Sequence, residues 1–211
     1  MKKKIIILSS IFITSFVLGI ITFFVIPLII PTEKTTKTSF QASYPYRTKS
    51  EVLNDSNLII RAKAKEKLPS KYANPDFELG EDIPNFIVTD VLFDVIDVYK
   101  GEVDKSKPVT VRIEGGKVEV IENGKATTFE FENPSMPNFK IGDEVILVLA
   151  YPRGAGDRRI SSEYYVFNPL KGVYFPEKEK DGNITYKAAG SDETLKLSTI
   201  QTEIDAAMRE N

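Results

Sequence analysis

The 211-residue chain contains no cysteine, no histidine and no tryptophan. Without cysteine there is neither a disulfide nor a thiol for lipidation, so an exported domain must stand on its apolar core alone. An exported protein without cysteine suits a bacterium better than a eukaryotic secretory pathway. Without histidine the usual general base, the usual zinc ligand and the Ser-His and Cys-His nucleophile systems are closed off. No serine or threonine has lysine three residues later, which removes the S-x-x-K arrangement as well. The chain therefore reads as a non-enzyme that needs no metal and no cofactor. An excess of positive charge is also missing. Setting aside Lys2, Lys3 and Lys4 leaves 25 basic against 30 acidic residues, a net charge of −5. That balance speaks against a nucleic-acid partner.

What is present begins at the N-terminus. After the three lysines, Ile5 to Ile30 carries no charged side chain. As a helix at about 1.5 Å per residue, this run reaches roughly 39 Å, enough to cross a hydrocarbon core of about 30 Å. A cleavable signal would show a shorter apolar region and small residues at its end, whereas the first alanine of the chain is Ala42. Residues 1–30 are expected to be a transmembrane anchor, the alternative being a signal cut near Gln41-Ala42-Ser43. The lysines orient the segment with its N-terminus in the cytoplasm. The expected localisation is a single-pass cell-membrane protein with its domain outside, or a secreted one if cleaved.

Residues 31–47 are rich in Thr, Lys, Ser and Pro and read as a solvated extracytoplasmic linker. Residues 48–211 suffice for one domain burying roughly two thirds of its surface. Thr48 with Glu51 makes a T-x-x-E capping box for a short helix carrying Val52 and Leu53. From Asn57, Leu58, Ile60, Ala62 and Ala64 alternate with Ile59, Arg61, Lys63 and Lys65, as in a half-buried strand. Residues 67–85 read as a loop. Phe86 to Tyr99 is the longest strand, with apolar residues on both faces, which predicts a bulge or strong coiling that lets one strand serve two walls of a barrel. Lys100-Gly101 then turns the chain.

Val109, Val111 and Ile113 form a further strand ended by Gly115-Gly116, and Asn123-Gly124 predicts a two-residue hairpin turn. Folding about it places Val118, Val120, Phe129 and Phe131 on one face, and Lys117, Glu119, Thr128 and Glu130 on a solvated one. Val145 to Ala150 is a continuous apolar run, expected to be a strand buried on both sides. Strands are also expected at Tyr164–Phe167, Gly172–Phe175 and Ile184–Lys187. Ser198 with Gln201 predicts a capped C-terminal helix lined by Ile200, Ile204, Ala207 and Met208. The expected fold is mostly β: a small antiparallel OB-like barrel with short N- and C-terminal helices, preceded by one transmembrane helix, with a small β-sandwich as the alternative.

The succession Ser56 to Lys63, then Val91 to Val98 closed by Tyr99-Lys100-Gly101, then Phe139 to Leu147, resembles the OB-type domain of netrin and tissue metalloprotease inhibitors. It is similar as well to poorly characterised cell-surface proteins of Gram-positive bacteria with the same strand order. The resemblance implies the barrel over roughly residues 50–209. It does not carry the inhibitor mechanism, which needs an N-terminal cysteine that this chain lacks.

Three features bear on function. Asp90, Asp94 and Asp97 share one strand, but Asp90 and Asp94 stand about 13 Å apart at about 3.3 Å per residue, too far for a glycosidase carboxylate pair. They read as edge or barrel-mouth charges. Asp181-Gly182-Asn183 lacks the ligand spacing of a calcium loop and reads as a turn. The segment from Tyr151 through Arg153, Arg158 and Arg159 to Tyr164 and Tyr165 gathers basic and aromatic groups in an acidic domain. Barrel loops of this kind bind oligosaccharides or anionic polymers through stacking and arginine forks. These six residues are the candidate ligand-binding set. The expected function is an uncharacterised membrane-anchored binding protein whose partner is an envelope protein or an anionic wall polymer. The alternatives are a carboxylate-dependent hydrolase and a structural subunit of an envelope complex.

Overall fold

The computed structural model describes residues 34–39, 44–73, 86–122, 125–151, 164–179 and 182–209. Two compact units are distinguished, 37–118 with 130–211 and 1–36 with 119–129. The apolar run 5–30 lies outside the described residues, as does the turn at Asn123-Gly124. Among the described residues no helix is long and apolar enough to cross a membrane.

Chain order gives β1 (Lys34–Ser39), α1 (Lys49–Asp55), β2 (Leu58–Lys67), β3 (Lys71–Tyr72), β4 (Ile87–Lys100), β5 (Val109–Glu114), β6 (Gly116–Glu122) and β7 (Lys125–Glu132). These are followed by β8 (Glu144–Ala150), β9 (Tyr164–Val166), β10 (Val173–Lys178), β11 (Ile184–Ala188), β12 (Thr194–Lys196) and α2 (Ile200–Arg209). β2 pairs with β4, β4 with β5, β5 with β9, β9 with β8, and β8 with β2, which closes a five-stranded barrel. Numbering the barrel strands along the chain, the circuit runs 1-2-3-5-4-1, and only the β5–β9 pairing is parallel. This is an OB-like barrel.

β4 serves two walls, as its two apolar faces require. It pairs with β5 over residues 88–93 and with β2 over 91–100. Against β2 its register shifts three times, and the shift at Arg61/Ala62 leaves Ile96 unopposed between Val95 and Asp97. Each such bulge turns the following side chains to the other face. Val91, Phe93, Val95 and Val98 consequently all pack in the barrel, while Tyr99 packs outside it.

Period two dictates the interior of the other strands. Leu58, Ile60, Ala62 and Ala64 from β2, Val109, Val111 and Ile113 from β5, and Val145, Leu147 and Leu149 from β8 fill the barrel. The alternate residues Ile59, Ile146 and Val148 face a second core built with α1, α2 and the β10–β12 strands. β8 is thus buried on both sides. Fully burying an isoleucine or leucine is worth about 1.5–3 kcal/mol, so this second layer is a substantial part of the fold.

The capping box of α1 forms in both directions, between the Thr48 hydroxyl and Glu51 N–H and between the Glu51 carboxylate and Thr48 N–H. The other end of α1 is met by Lys100, whose ammonium donates to the carbonyls of Leu53 (2.9 Å) and Asn54. The C-terminal helix departs from expectation at its start. It begins at Ile200, with Glu203 N–H donating to Thr199 O and the Thr199 hydroxyl to Glu203 Oε1, so Ser198 and Gln201 make no box. Gln201 instead donates to Tyr99 O and Asp205. Ile200, Ile204 and Ala207 are buried as expected, but Met208 is 46% exposed because the helical period carries it off that stripe.

β1, β7 and β6 form a second sheet in that order. Residues 34–39, where composition pointed to an unstructured spacer, are a strand: Thr35, Thr36 and Thr38 suit a pleated edge, and the lysines keep that edge soluble.

Candidate functional site

β8 and β9 are the fourth and fifth strands of the barrel, and the segment 151–163 connects them. Its entry is fixed. Tyr151 N–H donates to Asn57 Oδ1 at 2.9 Å, and the Tyr151 ring stacks on Tyr164 with centroids 5.3 Å apart and planes 26° from parallel. The three tyrosines occupy three environments. Tyr151 is 53% exposed, Tyr164 is buried in the barrel core, and Tyr165 turns its ring toward Arg112, whose guanidinium carbon lies 6.0 Å from the ring centroid. Arg153, Arg158 and Arg159 lie outside the described residues.

Asp94 and Asp97 lie on the part of β4 that pairs with β2 alone, as edge charges do, whereas Asp90 stands opposite Arg112 of β5. Asp94 is exposed and pairs with Lys65 at 2.9 Å, and Asp97 pairs with Arg61 at 2.6 Å. Asp90 is buried and receives two hydrogen bonds from Arg112, at 2.8 and 3.0 Å, with Lys71 a further 2.7 Å away. A lone buried carboxylate costs several kcal/mol, so the bidentate arginine is what allows Asp90 to sit there. Asp90 and Arg112 point away from the barrel interior, since Val91, Val111 and Ile113 point into it. Arg112 escaped the sequence reading. Its signal was an arginine alternating with Val111 and Ile113 in an otherwise apolar strand.

A second polar cluster lies beside the outer core. Arg61 donates to Glu144 at 3.4 Å as well as to Asp97, and Tyr186 donates to Glu144 at 2.6 Å. Burial, reinforced by the hydrogen bond to Glu144, pushes the Tyr186 phenol up to about 12. Burial likewise raises Tyr174, whose hydroxyl has no hydrogen-bond partner among the described residues.

One end of the barrel opens into a pocket of about 750 Å³. Its floor is apolar, from Val91, Ile113, Phe131, Met136 and Phe139, and its rim carries Lys67, Glu114, Lys117, Glu130 and Glu132. Phe139 is held edge-on against Phe93, centroids 5.3 Å apart. Glu130 is nearly buried, unlike the solvated face expected for it, and accepts from Lys117 and Lys37 at 3.0 Å each. Those hydrogen bonds hold its carboxyl below the ordinary 4.5. The pocket was not legible in the sequence. Its only trace was the pair Met136 and Phe139 within the proline-containing stretch 133–139.

Gly115-Gly116 shapes the wall. Gly116 has φ +141°, and a Cβ there would lie 2.2 Å from Ser70 Oγ and 2.5 Å from Thr89 Oγ1. The Thr89 hydroxyl donates to Gly115 O at 2.7 Å, so Ser70 must be the donor in their 2.8 Å contact, and Ser70 in turn accepts from Lys117 N–H. Among the described residues, no group of three or more Asp or Glu side chains is placed to hold a metal ion.

Comparison with protein-family models, with curated proteins and with solved structures gives no match.

Proposed function

We propose that this chain is a membrane-anchored, extracytoplasmic binding module, not an enzyme, and that it recognises an anionic wall polymer through the segment 151–163. The carrying observation is topological. That segment joins the fourth and fifth strands of an OB-like barrel, a connection such barrels use to bind extended polymers. It is entered by the exposed, ring-stacked Tyr151 and contains Arg153, Arg158 and Arg159 within seven residues. Tyr151 supplies a stacking surface fixed by Tyr164, and the arginines supply forked donors for phosphate or carboxylate oxygens. The membrane reading rests on the uncharged run 5–30 behind three lysines.

The full-length chain in vesicles, titrated with a poly(glycerol phosphate) probe, tests this. Replacing Arg153, Arg158 and Arg159 together by Ala is expected to weaken binding at least tenfold with an unchanged thermal midpoint. Binding by the intact chain should also fall with added salt. Unchanged binding by the triple variant overturns the assignment. Capture of an envelope protein through the same arginines, with no polymer binding, moves the partner to a protein.

A further inference from the structure

We propose that the end of the β6–β7 hairpin is a contact for the lipid surface, with Ile121 seated at the boundary between headgroups and acyl chains. This contact presupposes the membrane anchor proposed for residues 5–30, and it adds where the folded part of the chain meets the bilayer.

Ile121 breaks the pattern of its strand. On β6 it shares a face with the exposed Lys117 and Glu119, while Val118 and Val120 on the opposite face are half-buried. An aliphatic side chain on the polar face of a strand fills no core there. Ile121 is 73% exposed, more than any other aliphatic side chain among the described residues. A single exposed isoleucine is ordinary on a protein surface, so its position has to decide what it meets.

That position is set by β1, which pairs with β7, the partner of β6. Lys37 of β1 reaches Glu130 of β7 at 3.0 Å. Residues up to Thr36 form one compact unit with 119–129, so what precedes Lys37 lies beside what precedes Glu130, and the two strands run in the same direction. An antiparallel pair would set 34–36 against 131–133, which belong to the other unit. Followed back from Lys37, β1 therefore heads for the hairpin end, where β6 stops at Glu122 and β7 starts at Lys125. From Lys34, the first residue of β1, four residues of chain lead back to Ile30, the last of the uncharged run. Four residues span at most about 14 Å. A chain that leaves the bilayer at Ile30 holds this hairpin end within that reach of the membrane surface.

The side chains suit such a surface. An isoleucine can sink to the headgroup and acyl boundary, about 5–10 Å deep. Lys125, exposed at the start of β7, can lay its apolar stem alongside and keep its ammonium among the phosphate oxygens.

The chain has no tryptophan, so Ile121→Trp and Ile141→Trp each carry a single one. Ile141, 58% exposed in the turn before β8, is the comparison for a tryptophan's own attraction to interfaces. Both full-length variants are placed in phosphatidylcholine vesicles, with and without lipids brominated near the top of their acyl chains. Bromine quenches a tryptophan it touches, so Ile121→Trp is expected to lose about half of its emission or more, as a side chain at that boundary would. Ile141→Trp should lose little. Equal quenching at the two positions, or none at 121, overturns the inference. Alkaline carbonate extraction of the unaltered chain tells the two failures apart: a chain that stays in the membrane without quenching at 121 defeats the hairpin contact alone, whereas an extracted chain defeats the anchor and the contact with it. Disulfide-linked pairs of Ile121→Cys in vesicles, with no quenching of Ile121→Trp, give the position to a second copy and equally overturn the lipid contact.

Discussion

Asp90 and Arg112 are direct cross-strand partners on β4 and β5, and the arginine closes on the carboxylate with two hydrogen bonds of 2.8 and 3.0 Å. Both are buried on the outer side of the barrel wall, with exposures of 2% and 1%. Removing one partner from such a pair leaves an uncompensated buried charge and typically costs about 3–5 kcal/mol. The two directions are unequal here, because Lys71 lies 2.7 Å from Asp90. We expect Asp90→Ala, which leaves the buried Arg112 guanidinium without its carboxylate, to lower the unfolding free energy by about 4 kcal/mol, and Arg112→Met, which leaves Asp90 its contact with Lys71, by clearly less. Urea denaturation of both variants measures the difference. Equal losses would show that Lys71 contributes nothing to the site.

Gly116 and Gly142 both have positive φ, but only Gly116 is crowded. Alanine at Gly142, with nothing within 4 Å of its Cβ, should cost about 1–2 kcal/mol from backbone strain alone. Alanine at Gly116 must also displace Ser70 and Thr89, and should cost more and disturb the pocket wall. Thermal midpoints of the two variants decide the matter; a Gly116→Ala protein as stable as Gly142→Ala contradicts the close approach.

The raised Tyr186 phenol predicts alkaline instability. Its ordinary value of 10 applies to the unfolded chain, and about 12 applies in the fold. Between these values the unfolded chain loses a proton that the folded chain keeps, so stability is intact below pH 10 and declines as pH rises toward 12. Tyr186→Phe should remove part of this slope while costing about 0.5–1.5 kcal/mol at neutral pH for the lost hydrogen bond to Glu144. Denaturant midpoints at pH 9 and pH 11 for both proteins provide the comparison, and parallel declines would count against Tyr186 as the source.

At the acid end, Glu51 is held below its ordinary 4.5 by its hydrogen bonds to the backbone and side chain of Thr48. A depressed carboxylate stabilises the fold above its unfolded value, and that contribution disappears as pH falls below about 4.5 and through the folded value. Thr48→Ala should cost about 1 kcal/mol at neutral pH and less once the pH has fallen far enough for Glu51 to take up its proton. A pH-independent loss would mean that the box contributes only through the Thr48 hydroxyl.

Much of this fold was legible because period two and turn chemistry are local. Leu58 to Ala64, Val109 to Ile113 and Val145 to Ala150 state their inward faces directly, and Thr48-x-x-Glu51 states a helix start. The double apolar face of β4 announced a bulged strand serving two walls, and the register shifts against β2 supply it. The site was less legible. Tyr151, Tyr164 and Tyr165 look alike in sequence, yet one is exposed, one is core and one lies against Arg112, since alternation along β9 and closure on β8 decide their environments. Asp90 resembled Asp94 and Asp97 for the same reason. Whether an aspartate is a surface charge or a buried pair depends on what stands opposite, and nothing local identifies Arg112, 22 residues away.

By itself, then, the sequence determined the alternating strands, the turn at Lys100-Gly101, the first helix cap and the residues that face inward, because backbone sterics and burial act over a few neighbouring positions. Only the tertiary structure decided the parallel closure of β5 on β9, the pairing of Asp90 with Arg112, and the pocket where Lys67, Glu114 and Phe139 meet. Each depends on register between strands far apart in the chain, where a shift of one residue exchanges the two faces and with them every contact that makes a site.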